Sequence, residues 1–111
     1  MTPAVLRLFF WAALVAVLVL SLAPVPAGHM VFSWQDKLEH VLAFFALGVL
    51  ARLGWPGRTA MLVIGLLAYG GLIEVAQSFT TYRMGDAADW LADALGIGLA
   101  MLFGAWRWRR A

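Results

Sequence analysis

The stretch "IEVAQSFTTYRMGDAADWLADALG", Ile73–Gly96, decides the fold. One apolar run ends inside it, a short polar segment follows at Thr80–Gly85, and a second apolar run opens at Asp86. A polar turn between two apolar runs predicts a pair of membrane-length helices joined at a water-exposed surface. The carboxylates are unusual in their depth. Glu74 lies about five to seven residues inside its run, and Asp93 about seven inside its own. At a rise of ~1.5 Å per residue, each would sit roughly 8–10 Å below the surface, too deep for a helix cap.

The rest of the chain fits this reading. Its 111 residues are 64% hydrophobic and 13% charged, with a mean hydropathy of +0.88. A soluble domain carries roughly a quarter charged residues, so the balance places the chain among membrane proteins. The absence of cysteine excludes disulfides, zinc–thiolate centres and a cysteine nucleophile. The net charge of +2 does not point to nucleic acid, because the basic residues flank apolar runs rather than forming a stripe.

A bilayer core needs about 20 apolar residues per helix. Four runs meet that need: about 5–22, 34–53, 58–79 and 86–106. Pro24 and Pro26 close the first, and Gly54 and Pro56 end the second. The expected fold is all-α: one domain over residues 1–111, an integral membrane four-helix bundle with short loops and sequence neighbours antiparallel. A secretory signal cleaved after Ala27 is an alternative reading of the first run.

Orientation follows from Lys and Arg in short loops. With a cytoplasmic N-terminus, Arg7, Arg52, Arg58, Arg107, Arg109 and Arg110 lie inside, and Lys37 and Arg83 outside. Six against two predicts that both termini are cytoplasmic. Trp55, Trp106 and Trp108 then mark the inner interface, and Trp34 and Trp90 the outer one.

The polar residues gather toward the outer side. Asp36, Glu39 and His40 stand at i, i+3, i+4, Glu74 and Gln77 at i, i+3, and Asp86, Asp89 and Asp93 at i, i+3, i+7. Each set shares one helix face. A charge near the bilayer centre costs ~2.5–3.5 kcal/mol on insertion scales. Facing these groups toward one another or toward a water-filled cleft avoids most of that cost. Local roles compete with this reading. "SWQD", Ser33–Asp36, fits a capping box with Ser33 as N-cap, and Asp86 and Asp89 suit a helix first turn. Ala92/Gly96 and Ala100/Gly104 form small-xxx-small steps that let helices approach closely, and Gly70 and Gly71 offer the same beside Glu74. No Gly-rich phosphate loop, GxSxG elbow or HExxH helix is present.

In order and at these spacings, the polar residues resemble the VanZ-like family of small bacterial membrane proteins. "DKLEH", Asp36–His40, resembles the family's D-K-x-x-H, and "EVAQ", Glu74–Gln77, its E-x-x-Q. Arg83 follows Gln77 by six residues and Asp89 follows Arg83 by six, as the pattern asks, and Gly96 matches the glycine of the closing N-x-x-G. Two features depart from it: the loop lacks the proline often found before the arginine, and Asp93 replaces the closing asparagine. The resemblance implies the bacterial inner membrane, an envelope role and a link to glycopeptide tolerance, without an agreed reaction.

Three functions follow. In the first, an outward-facing site binds or modifies an anionic envelope lipid or glycan precursor. Asp36, Lys37, Gln77 and Arg83 would contact the ligand, and His40, Glu74, Asp89 and Asp93 would supply acid–base chemistry. His40, Glu74 and Asp89 could instead ligate a hard divalent cation such as Mg²⁺. The second is a small proton-coupled transporter. The third is a non-catalytic partner of another envelope protein.

Overall fold

The computed structural model describes residues 1–24, 28, 32, 34–80 and 86–110, the last six of these by their backbone alone. It contains α1 (Pro3–Leu22), α2 (Gln35–Gly54), α3 (Thr59–Ser78) and α4 (Ala87–Arg110), with no strand among the described residues. The predicted boundaries agree to within two residues, except that α4 continues past residue 106. The molecule measures 45 × 24 × 24 Å. A 20-residue helix rises about 30 Å, the thickness of a bilayer core.

Helices α1, α3 and the Ala87–Gly104 part of α4 are each long and apolar enough to cross a membrane. Helix α2 has the same length but is more polar, because it carries Asp36, Lys37, Glu39, His40 and Arg52. It packs against all three others, as α3 does, and most extensively against α4. Its buried face is Phe44, Leu47, Gly48, Ala51 and Gly54. An interior helix can hold charges at its ends without presenting them to lipid, which reconciles its composition with its place in the bundle. The outer faces of the other helices are apolar: Trp11, Val19, Ile64, Leu72, Leu95 and Leu102 are all exposed. Such a surface is wrong for water and right for lipid.

The most extensive contact is between α2 and α4, which are not sequence neighbours. They run parallel at a constant offset. His40 meets Asp93, 53 residues on, and Lys37 meets Asp89, 52 residues on. Antiparallel sequence neighbours, as the short loops implied, leave α2 and α4 pointing the same way. The small residues of α4 explain how closely the two pack. Gly96 faces the backbone of α2 so closely that a methyl group there would strike the Val41 carbonyl oxygen and come within 2.9 Å of the Phe45 nitrogen. One turn on, Ala100 packs on Gly48, and Gly104 lies against Arg52. The small-xxx-small stripe therefore seats α4 on α2.

Side chains tie the remaining helices to this pair. At the α1 start, the Arg7 guanidinium donates through Nε to the Gly54 carbonyl at 2.7 Å and stacks over Trp55 at 5.2 Å. A cation at the C-terminus of α2 also suits the helix dipole. The Tyr69 hydroxyl donates to the Leu14 carbonyl, and Gln77 Nε2 donates to the Ser21 carbonyl at 2.8 Å. Trp90 Nε1 donates to the Leu67 carbonyl at 2.9 Å, joining α4 to α3. An apolar groove of about 350 Å³ lies between α1 and α3, lined by Phe10, Trp11, Leu14, Trp55, Leu66 and Tyr69 among others.

Candidate functional site

The shared-face spacing brings α2, α3 and α4 polar residues together at the end of the bundle where α2 and α4 begin. Lys37, one turn into α2, reaches across to the first turn of α4. Its ammonium donates to Asp86 Oδ2 at 3.1 Å and more closely to Asp89 Oδ1, and it lies 3.7 Å from Asp36. Asp89 is only 4% exposed, so Lys37 neutralises a carboxylate that would otherwise be charged and buried alone. The proposed ligand-contacting role for Lys37 meets a competitor here: its ammonium already serves carboxylates of this chain.

His40 sits one turn deeper. Its Nδ1 is 2.7 Å from Asp93 Oδ1. Its Nε2 faces Asp89 Oδ2 at 3.8 Å and Asp36 Oδ1 at 4.0 Å. One imidazole thus links the carboxylates of both acidic layers. Asp93 is fully buried, and its second oxygen, Oδ2, is sealed from solvent with no hydrogen-bond partner. Gly70 makes room for it, since a methyl group at that position would lie 2.7 Å from Asp93 Oδ2. Glu74 approaches from α3. Its Oε2 accepts the Asp86 backbone N–H at 2.7 Å, while its Oε1 is buried and without a partner. Ligand atoms of His40, Glu74 and Asp93 lie within 4.8 Å of one another, and so do those of Asp36, His40 and Asp89.

The capping expectations divide. Asp86 Oδ1 accepts the Ala88 N–H at 2.9 Å, so Asp86 does cap α4. That hydrogen bond, helped by the Lys37 ammonium, holds the exposed Asp86 carboxyl below the ordinary carboxylate range. Trp34 occupies the N-cap of α2, with no side-chain cap. Ser33, and with it the expected "SWQD" capping box, lies outside the described residues. The Asp36 carboxylate lies toward Lys37 and His40. Glu39 accepts a hydrogen bond from Gln35 Nε2 at 3.1 Å along α2.

The structure thus gathers Asp36, Lys37, His40, Glu74, Asp89 and Asp93, with Asp86 at their edge. Gln77 is directed elsewhere: it is 2% exposed and bonded to α1. Arg83 lies outside the described residues. Two contributors gained definition from the fold. Asp86, read as a cap, also pairs with Lys37 and supports Glu74 through its N–H. Gly70 opens the space beside Asp93. The signal for Gly70 was its position one turn before Glu74, but the side it faces depends on helix packing.

A bundle of membrane-length helices with a buried histidine–carboxylate cluster at one end defines a small helical membrane protein with a polar site. The VanZ/LLP1 family model matches residues 7–107. The chain belongs to that family, as its D-K-x-x-H and E-x-x-Q segments implied. Comparison with curated proteins gives no match, and neither does comparison with solved structures.

Proposed function

We propose that the chain is a multi-pass protein of the bacterial inner membrane, with both termini cytoplasmic. Its polar cluster faces the outer side and binds the phosphate-bearing head group of an anionic envelope lipid or lipid-linked glycan precursor. The observation that carries this reading is the convergence of His40, Glu74 and Asp93 from three helices, with oxygens of both acids buried and unpartnered. Buried polar groups are normally satisfied. Two buried, unpartnered carboxylate oxygens, on residues gathered with a histidine, suit a ligand that brings a hydrogen-bond donor or a cation with it better than a purely structural contact. Arg83, in the adjoining loop, is the cation best placed by sequence for bidentate phosphate contact. If chemistry follows binding, His40 held by Asp93 is the candidate acid–base group.

The proton-coupled transporter is less well supported. Below the cluster, the core between α2 and α4 consists of Phe44, Leu47, Ala51, Ile97 and Ala100, which offers no polar step toward the other side. The test is purification in mild detergent followed by mass spectrometry of retained lipids. Wild type should hold an anionic lipid that Arg83→Ala loses. Equal lipid profiles in the two proteins would overturn the reading.

A further inference from the structure

We propose that His40, Glu74 and Asp93 form a binding site for one divalent metal ion, with Mn²⁺ as a suitable probe. This deepens the preceding reading and rests on it only in treating the cluster as a ligand site. The charge balance provides the first argument. Asp36, Asp86 and Asp89 surround Lys37, whereas Glu74 and Asp93 have no Lys or Arg partner among the described contacts. Two carboxylates and a neutral imidazole would neutralise a divalent ion, limiting the cost of holding charge at this depth.

The unsatisfied oxygens also point to a ligand. Asp93 Oδ2 and Glu74 Oε1 are both buried without hydrogen-bond partners, although their residues offer ligand atoms within 4.8 Å of each other and of His40. His40 Nδ1 lies 2.7 Å from Asp93 Oδ1, so an ion bound between them would take the place of the proton shared there. The remaining imidazole proton would then sit on Nε2, on the side of the Asp89 and Asp36 carboxylates at 3.8 and 4.0 Å, where a metal-bound histidine commonly has its outer carboxylate. One imidazole with two carboxylates suits an oxygen-preferring ion that tolerates nitrogen, such as Mn²⁺.

A bound cation would also resolve an electrostatic difficulty. The cluster is acidic and would repel a phosphate, but a metal ion with open positions would accept phosphate oxygens. Lys37 then serves to keep Asp89 and Asp86 from competing for the ion, and not to hold the head group.

The experiment uses full-length protein in detergent, stripped with chelator and titrated with Mn²⁺. Free Mn²⁺ is followed by electron paramagnetic resonance, and bound Mn²⁺ by electron spin echo modulation from nitrogen. The expected result is one saturable ion per chain, coupled to one imidazole nitrogen. His40→Gln should abolish that coupling, which also discriminates His40 from His29. Glu74→Gln and Asp93→Asn, both near-isosteric, should each weaken binding about tenfold or more, a scale reached even by outer-shell changes. Wild-type measurements keep the test decisive if a variant fails to fold. No saturable binding up to about 1 mM, the weak end of biological cation sites, would overturn the proposal. So would binding without nitrogen coupling. A metal-binding chain that retains no anionic lipid would instead overturn the lipid reading alone.

Discussion

Gly96 shows how a single missing methyl group positions the site. It lets α4 approach α2 closely enough for His40 to meet Asp93, because the atoms facing it are the Val41 carbonyl oxygen and Phe45 nitrogen, which cannot rotate away. Gly96→Ala should cost about 1–3 kcal/mol through overpacking, read as reversible unfolding in bicelles. Gly98→Ala meets open space and should be neutral or stabilising by up to ~1 kcal/mol from helix propensity. If both variants behave alike, close packing at Gly96 is not the cause. Asp86 supports a second prediction. Its folded carboxyl titrates below the ordinary value, so its contribution is present above the unfolded pKa and is lost as pH falls through the lowered folded one. Carbon-13 NMR titration of labelled aspartate should find one acid depressed in wild type and absent in Asp86→Ser. Because Ser can cap α4 but cannot pair with Lys37, Asp86→Ser should melt between wild type and Asp86→Ala.

At the scale of helices, their number, lengths and polar faces were legible in the sequence, because apolar runs and 3.6-residue spacing report them directly. Their arrangement was less so. Nothing in Gln35–Gly54 alone says that this helix lies against all three others, although its Asp36, Lys37, Glu39 and His40 are poorly suited to lipid. Gly96 and Ala100 announced a close contact without naming the partner. Glu74 and Gln77 share a face by spacing, yet Gln77 bonds to Ser21 of α1 while Glu74 reaches Asp86; a face one hundred degrees wide can serve two neighbours. That division yields a prediction about α1, which among the described residues contacts α2 and α3 but not α4. Tyr69→Phe with Gln77→Met removes two side-chain hydrogen bonds from α3 to α1. Each is worth about 0.6 kcal/mol on average inside a membrane. Spin labels on α1 and α3 should show a broadened distance distribution, while an α2–α4 pair stays sharp. Equal broadening of both pairs would mean that α1 is integral to the α2–α4 core.

For the whole molecule, function depends on which way the bundle faces, and the bundle gives that question a clear form. The α1 start, α2 end, α3 start and α4 end share one pole: Arg7 bonds Gly54, Arg52 reaches Thr59 and Met101, and Gly104 lies against Arg52. The opposite pole holds Lys37, Asp86 and the acidic cluster. Basic residues at short-loop ends are retained in the cytoplasm, so the arginine pole should be inside and the acidic pole outside. The chain contains no cysteine, which allows single-cysteine labelling without background. Thr80→Cys, at the outer end of α3, should react with a membrane-impermeant maleimide in intact spheroplasts. Thr2→Cys, at the N-cap of α1, should react only after permeabilisation. The reverse pattern would place the cluster against the cytoplasm, where an outward-facing lipid precursor could not reach it, while leaving the metal-binding proposal intact. Both positions reacting in intact spheroplasts would mean that α1 does not cross the membrane.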